Sequence, residues 1–135
     1  MAAGSKVQVP EYLKKQGSLK NAGIDEVIVF CVNDGAVMMA WAEDQMIEDG
    51  GLITFMADAR CELSRAMGMV IDPSLVPPLG NPRCKRFCCY IDDGTIKIWN
   101  VSEEEGDPAG DNDPAGPIAA KTRAPAMLAA IAGCS

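Results

Sequence analysis

The chain has 135 residues, 48% of them hydrophobic, with a formal net charge of −7 and no histidine. This length predicts one domain with a single core over residues 1–135, and the acidic balance argues against nucleic-acid binding. No apolar run is long enough to span a membrane, and no apolar segment flanked by bases opens the chain, which predicts an intracellular protein of the cytoplasm or an organelle.

The first half of the chain alternates predicted helices and strands. Residues 9–23 read as a helix, and residues 25–32 form a continuous apolar run that is typical of a parallel strand buried on both faces. A helix over 36–46, a second buried strand over 52–58 and a helix over 59–68 follow. Strands that alternate with helices in this way predict an α/β fold with a parallel sheet.

The second half predicts a hairpin and a closing helix. Apolar segments over 84–91 and 95–101 flank Asp92-Asp93-Gly94, a strong hairpin signal, and the hairpin is expected to extend the sheet antiparallel. Six of the nineteen acidic residues lie in 102–116, which predicts a flexible acidic loop. Residues 117–133 predict an alanine-rich helix that is interrupted or restarted at Pro125.

The chain contains six cysteines, which are Cys31, Cys61, Cys84, Cys88, Cys89 and Cys134. Because the sequence predicts an intracellular protein with apolar segments long enough to form a core, we expect reduced thiols rather than a disulfide scaffold. Because the chain has no histidine and no C-x-x-C pair, we expect neither a metal site nor another cofactor. Cys88 and Cys89 are adjacent on a predicted strand, so their side chains point to opposite faces and are expected to be small buried hydrophobes.

Two other cysteines are candidates for a reactive thiol. Cys84 lies between Arg83 and Lys85, and this flanking positive charge would favour its thiolate. Cys134 is the second-last residue, where a mobile thiol could form a mixed or intermolecular disulfide.

Three blocks resemble the type II, peroxiredoxin-5-like peroxiredoxins. They are "VNDGAVMMAW" from Val32, Ala57-Asp58 at the end of a strand, and "RCKRFCCYIDDG" from Arg83 to Gly94. The resemblance covers roughly residues 5–131. It implies a thioredoxin-like α/β domain with a central mixed sheet flanked by helices. It also implies a strand before the first helix for which this chain has no residues, so the domain is predicted to be N-terminally incomplete.

The resemblance further implies a peroxide-reducing thiolate, which the family places at the first turn of a helix beside a threonine and an arginine. Aligning "SKVQVPEYLKK" with the family motif places Ser5 on the motif's serine, Gly4 on the peroxidatic cysteine and Met1 on the threonine. Arg86 falls on the catalytic arginine, although it could equally be a surface arginine inherited from the fold. As written, the chain is predicted to be inactive as a thiol peroxidase.

Three functions stay open at this point. The leading one is a degenerate peroxiredoxin-like protein that serves as a structural or accessory subunit of a larger assembly. The second is a hydroperoxide-reducing peroxiredoxin seen without its N-terminal catalytic segment. The third is a redox sensor that uses Cys84 or Cys134.

The resemblance also implies protein partners, in a homodimer or a larger complex. In the family, the loop and helix that begin at the V-N-D block contribute to a dimer interface. The candidate contact residues are Asn33, Asp34, Met38 and Trp41. Core packing is the alternative for the apolar members of this set.

Overall fold

A computed structural model describes residues 7–75, 82–107, 112–113 and 116–134 of the chain. These residues fall into two units. The middle unit is Asp25–Lys85, and the terminal unit combines Met1–Ile24 with Arg86–Ser135. The prediction of one domain over residues 1–135 stays a prediction.

The middle unit is built on a parallel strand pair. Strands β1 (Val27–Cys31) and β2 (Ile53–Ala57) pair in register along their whole length. Helix α3 (Gly35–Asp44) crosses from one strand to the other and packs on β2. It begins where the Asp34 carboxylate accepts the Val37 N–H at 2.9 Å, a side-chain N-cap. The predicted strand, helix and strand are therefore confirmed in order and type.

The prediction that these strands are buried on both faces is wrong for the middle unit. Ile28 on β1 is 49% exposed, and Met56 on β2 is 46% exposed. Side chains alternate across a strand, so Ile28, Phe30 and Met56 share one face of the pair. The α3 residue Trp41 packs instead on Phe55, which lies on the other face, with ring centroids 4.6 Å apart. An apolar run shows that a strand can be buried, but it does not identify the neighbour that covers each face.

The middle unit also contains a short helix and a strand-like bridge. Helix α4 (Glu62–Ala66) is preceded by its N-cap residue Cys61, which has a left-handed backbone with φ 61°. A 3-10 turn spans Pro73–Leu75, and an isolated bridge pairs Val70 with Cys84. These contacts bring the residues just before the hairpin next to the segment that follows α4.

The terminal unit begins with two short helices rather than one. Helix α1 (Val9–Lys14) and helix α2 (Gln16–Asn21) are separated at Lys15, whose φ of −100° and ψ of 11° are not helical. The single helix predicted over 9–23 is corrected to this pair. Leu19 of α2 is buried, so this helix contributes directly to the core of the unit.

A hairpin and two further helices complete the terminal unit. Strands β3 (Phe87–Asp92) and β4 (Thr95–Val101) pair antiparallel around the two-residue turn Asp93-Gly94, which confirms the predicted hairpin. Helices α5 (Pro117–Ala120) and α6 (Ala124–Ala132) confirm the predicted interruption near Pro125. Among the residues that the structure describes, the hairpin forms a sheet of its own and does not continue the parallel pair. None of the described helices is long and apolar enough to cross a membrane.

The hairpin turn gives a simple stability prediction. Both turn residues have positive φ, 50° at Asp93 and 78° at Gly94, which is the type I′ pattern. A Cβ on Gly94 would contact no heavy atom within 4 Å, so Gly94→Ala changes only the backbone preference. We expect chemical denaturation to show a loss of about 1–2 kcal/mol in unfolding free energy. The control Gly17→Ala, at an open helical position, should be neutral or stabilising. An equal loss in both variants would contradict the turn assignment.

Candidate functional site

Arg86 lies immediately before β3 in the terminal unit. Its side chain is half-buried, and its carbonyl oxygen accepts the Ser102 N–H at 2.8 Å, which fixes the backbone at the start of the strand. The role that the sequence assigns to Arg86 stays a prediction.

Cys88 and Cys89 follow Arg86 on β3 and are paired across the hairpin with Asn100 and Trp99. Burial raises the pKa of both thiols. The Cys88 sulfur lies 3.3 Å from the Tyr12 hydroxyl of α1. A thiol with a raised pKa is mostly protonated near neutral pH, so neither residue is set up as a nucleophile.

A network of polar side chains, the Thr122 cluster, ties α1 to β4 and to the link between α5 and α6. It consists of Gln8, Tyr12, Ser102, Ala119 and Thr122. The Tyr12 hydroxyl donates to the Thr122 carbonyl at 2.8 Å, and the Gln8 amide donates to the Ala119 carbonyl at 3.1 Å. The buried Thr122 hydroxyl lies 2.9 Å from the Ser102 hydroxyl and 3.3 Å from the Gln8 amide oxygen. The network therefore holds α1 through two groups of Thr122, its backbone carbonyl and its side-chain hydroxyl.

An ion pair beside the Thr122 cluster joins α1 to the residue that precedes α6. Arg123 donates two hydrogen bonds to the Glu11 carboxylate, one of them from Nε to Oε2 at 2.8 Å. These hydrogen bonds lower the pKa of Glu11, and desolvation opposes them. The Thr122 cluster and this pair together hold α1. Gly4, the position that the sequence aligns with the peroxidatic cysteine, lies outside the described residues.

In the middle unit, a buried carboxylate organises the start of α4. The Asp58 carboxylate accepts the backbone N–H groups of Leu63 and Ser64 at 3.1 and 2.9 Å, and the Ser64 hydroxyl at 2.7 Å. Desolvation raises the pKa of Asp58, but the hydrogen bonds that the carboxylate accepts outweigh it and hold the pKa below its ordinary value. The Asp58 carboxylate thus caps α4. Cys61, the N-cap residue of this helix, makes no side-chain capping hydrogen bond.

Cys84 lies next to this capped helix. Burial raises the pKa of Cys84 and outweighs the lowering effect of the Val32 backbone and of Ser64. This direction is opposite to the one expected from its basic neighbours. Arg83 itself donates from Nη1 to the Val32 carbonyl at 3.2 Å and to Asn33 Oδ1 at 3.3 Å.

The remaining predicted residues have different environments. Met38 is only 3% exposed, as the core-packing alternative expects, and its role as a partner contact stays a prediction. Trp41 is half-buried against Phe55, Asn33 binds Arg83, and Asp34 caps α3. Cys134 is exposed just beyond α6. Within the described parts of the chain, no three His, Cys, Asp or Glu side chains are grouped as metal ligands.

Several organising residues were not singled out from the sequence. Tyr12, Thr122 and Ser64 are not among the candidate residues that the sequence predicts. Asp58 directly follows a strand and precedes a short helix, which is a usable capping signal. No local sequence signal points to Thr122, because its partners lie 20 or more residues away in sequence, except for Ala119.

Comparison with known proteins places these features in a family. The sequence model of the Redoxin family matches residues 5–113. Peroxiredoxin-2F, mitochondrial, of Arabidopsis thaliana is 34% identical over 103 residues, which is 76% of this chain and 49% of that protein. Peroxiredoxin-2E-2, chloroplastic, of Oryza sativa subsp. japonica is 33% identical over 99 residues, which is 73% of this chain and 44% of that protein. The chain spans about half the length of these curated relatives.

Solved structures agree with the sequence match. Reduced Prx3 from Vibrio vulnificus superimposes with a TM-score of 0.78 at 26% identity, covering 98% of this chain and 74% of that one. Peroxiredoxin 5 from Alvinella pompejana gives 0.66 at 29% identity, covering 93% and 68%. The predicted thioredoxin-like α/β fold and the peroxiredoxin resemblance are confirmed. The chain belongs to the redoxin family, as a peroxiredoxin-like protein of the thioredoxin-like fold.

Proposed function

We propose that this chain is a degenerate peroxiredoxin-like protein whose own residues do not reduce hydroperoxides and that acts as an accessory subunit of a protein assembly. The observation that carries the proposal is the state of the thiols nearest to Arg86 in sequence. Burial raises the pKa of Cys84, Cys88 and Cys89, so all three are poor nucleophiles at neutral pH.

The chemistry of peroxide reduction explains why this observation supports the proposal. A thiolate must attack the peroxide oxygen, form a sulfenic acid and release water or an alcohol. At the position that aligns with the peroxidatic cysteine the chain has Gly4, which has no thiol. A protonated, buried thiol elsewhere supplies no substitute, because both the thiolate fraction and access to the peroxide are low.

Exposed apolar side chains support the accessory role. On and after α3, Met39 is 64% exposed and Met46 is 82% exposed. Side chains of this size and flexibility are common at protein-binding surfaces. A homodimer or a heteromeric complex would cover them.

A second candidate function, an active thiol peroxidase, rests on the length of this chain compared with its relatives. Since the chain spans about half of its curated relatives, a longer native protein could carry a peroxidatic cysteine before residue 1 and be an active thiol peroxidase. In that protein Arg86 would help to stabilise the thiolate and the reacting peroxide. The names of the relatives place those proteins in chloroplast and mitochondrion; for this chain we propose a reducing compartment, in the cytoplasm or an organelle.

Intact mass and peroxide assays on the native protein separate the two functions. For the degenerate protein we expect hydroperoxide consumption with a dithiol reductant to stay near background, and Arg86→Ala to match the control Arg60→Ala. Turnover that is lost in Arg86→Ala but kept in Arg60→Ala, together with a mass larger than these 135 residues, would support the active peroxidase. Gel filtration tests the accessory role, since an isolated, well-behaved monomer in its native source would contradict it.

A further inference from the structure

The outer side of α3 and the turn that follows it expose two methionines. Met38 is buried and Trp41 packs on Phe55, so these residues mark the side of α3 that faces the strands. Met39 is 64% exposed, and Met46, just beyond the helix, is 82% exposed. In the part of the chain that the structure describes, no other large apolar side chain is as exposed as these two.

The turn after α3 holds Met46 in a conformation that favours glycine. Its φ is 55°, in the left-handed region. The Met46 N–H donates to the Glu43 carbonyl at 3.0 Å, and the Ile47 N–H donates to the Ala42 carbonyl at 2.9 Å. These two hydrogen bonds form a Schellman motif, in which the left-handed residue after the helix is usually glycine. Methionine strains the backbone here and buries little of its side chain, so folding alone does not explain this residue.

The charged side chains around the two methionines are all acidic. Between residues 25 and 58 the chain has no lysine or arginine. Glu43 lies one helical turn after Met39, so these two side chains are neighbours on the surface of α3. We define the α3 surface as five exposed residues, Met39, Glu43, Asp44, Met46 and Glu48.

The charge of the α3 surface disfavours a second copy of the chain as its partner. In a two-fold symmetric dimer a surface packs on the same surface of the other copy, which would bring Glu43 and Glu48 towards their own counterparts. Like charges that face each other across an interface destabilise it. A segment that carries lysine or arginine beside apolar side chains would pair with the acidic residues and cover the methionines, and an amphipathic helix presents both kinds of side chain on connected faces.

We propose that the α3 surface binds a basic amphipathic helix of another protein. The apolar side chains of that helix pack on Met39 and Met46, whose flexible thioether side chains adapt to different apolar shapes. Its lysine or arginine side chains pair with Glu43, Asp44 and Glu48. The inference rests on the accessory role proposed above and specifies the chemistry of the partner. It also explains why a methionine is retained at a left-handed position.

Titration of the whole chain with model peptides tests the proposal. The probe is a labelled synthetic amphipathic helix of leucine and lysine, and the matched peptide has glutamate in place of every lysine. By fluorescence anisotropy we expect saturable binding of the leucine–lysine peptide that weakens as salt is added, and binding of the leucine–glutamate peptide at least about tenfold weaker. Equal affinities, or no saturable binding of the leucine–lysine peptide, would overturn the proposal.

Met46→Gly separates the partner contact from folding. Glycine relieves the left-handed strain, so the thermal midpoint of unfolding should rise by about 2–5 °C. The affinity for the leucine–lysine peptide should nevertheless fall about fivefold or more. Met56→Ser is the matched control, because Met56 is an exposed methionine on the strand face opposite Phe55, and it should keep the wild-type affinity. Unchanged affinity in Met46→Gly would contradict the proposal.

A pair of charge variants tests the acidic residues. Glu43→Gln combined with Glu48→Gln should weaken binding of the leucine–lysine peptide about fivefold and reduce its salt dependence. Glu104→Gln combined with Glu105→Gln removes two exposed acidic residues of the terminal unit and should do neither. Equal losses in the two double variants would assign the binding to the overall negative charge and would refute the α3 surface as the site.

These outcomes are distinct from a failure of the accessory role. A heteromeric complex in the native source, together with a chain that does not bind the leucine–lysine peptide, would overturn the partner chemistry and leave the accessory role standing. A monomer in the native source would instead contradict the accessory role. A wild-type dimer that dissociates in Met46→Gly would assign the α3 surface to a second copy, which also overturns the proposal.

Discussion

Replacing Asp58 by alanine is expected to lower the free energy of unfolding by about 2–4 kcal/mol. The carboxylate is buried and accepts three hydrogen bonds, two from α4 amides and one from the Ser64 hydroxyl. Alanine leaves these buried donors without an acceptor, and each lost partner costs more than an ordinary hydrogen bond contributes. Chemical denaturation followed by circular dichroism measures the loss.

Two matched variants isolate the cause. Asp58→Asn keeps one acceptor oxygen and should fall between wild type and Asp58→Ala. Asp72 is an exposed aspartate that accepts hydrogen bonds from Ser74, so Asp72→Ala provides a carboxylate control and should change stability little. Equal losses in Asp58→Ala and Asp72→Ala would contradict the capping role of Asp58.

The same carboxylate predicts a pH dependence. The folded pKa of Asp58 lies below its unfolded value of about 4. The stabilisation is therefore fully present above that unfolded value and is lost as the pH falls through the folded pKa. Unfolding free energy measured against pH should fall less steeply on the acid side in Asp58→Asn than in wild type. Parallel curves would show that Asp58 titrates alike in both states.

Replacing Thr122 by valine is expected to cost about 2–3 kcal/mol. Valine keeps the shape but removes the hydroxyl that contacts Ser102 and Gln8 in a buried environment. Because the same hydroxyl ties α1 to β4, amide hydrogen exchange should also rise along α1 more than along α3. Thermal unfolding and exchange mass spectrometry measure the two effects.

Thr122→Ser and Thr95→Val are the controls for this variant. Serine retains the hydroxyl and should recover most of the stability. Thr95 is exposed at the start of β4, so valine there should be nearly neutral. If Thr122→Ser is as destabilised as Thr122→Val, packing of the methyl group rather than the polar network holds α1.

Local sequence patterns predicted the order of the helices and strands. The apolar runs gave β1 and β2, the D-D-G turn gave the hairpin, and Pro125 marked the break between α5 and α6. Each of these signals acts within a few residues, where backbone preference and turn geometry decide. No turn residue or proline near Lys15 indicated that the first predicted helix is divided there into α1 and α2.

The candidate site depended on contacts that a single sequence does not encode. Flanking charge suggested an activated Cys84, but Arg83 bonds to Val32 and Asn33 and burial raises the thiol pKa. The exposure of Ile28 likewise depends on what packs on its strand face, not on its own hydrophobicity. The sequence placed Arg86 on a strand over 84–91, whereas β3 begins at Phe87 and Arg86 directly precedes it; the role of Arg86 stays a prediction.

The initial rate of hydroperoxide consumption by the native protein, before and after alkylation of its thiols, tests the central claim most directly. A protein without a peroxidatic thiolate should give the same near-background rate in both samples, with a dithiol reductant in excess. A fast rate that alkylation abolishes would contradict the claim. Mapping the peroxide-dependent sulfenic acid would then identify the cysteine responsible.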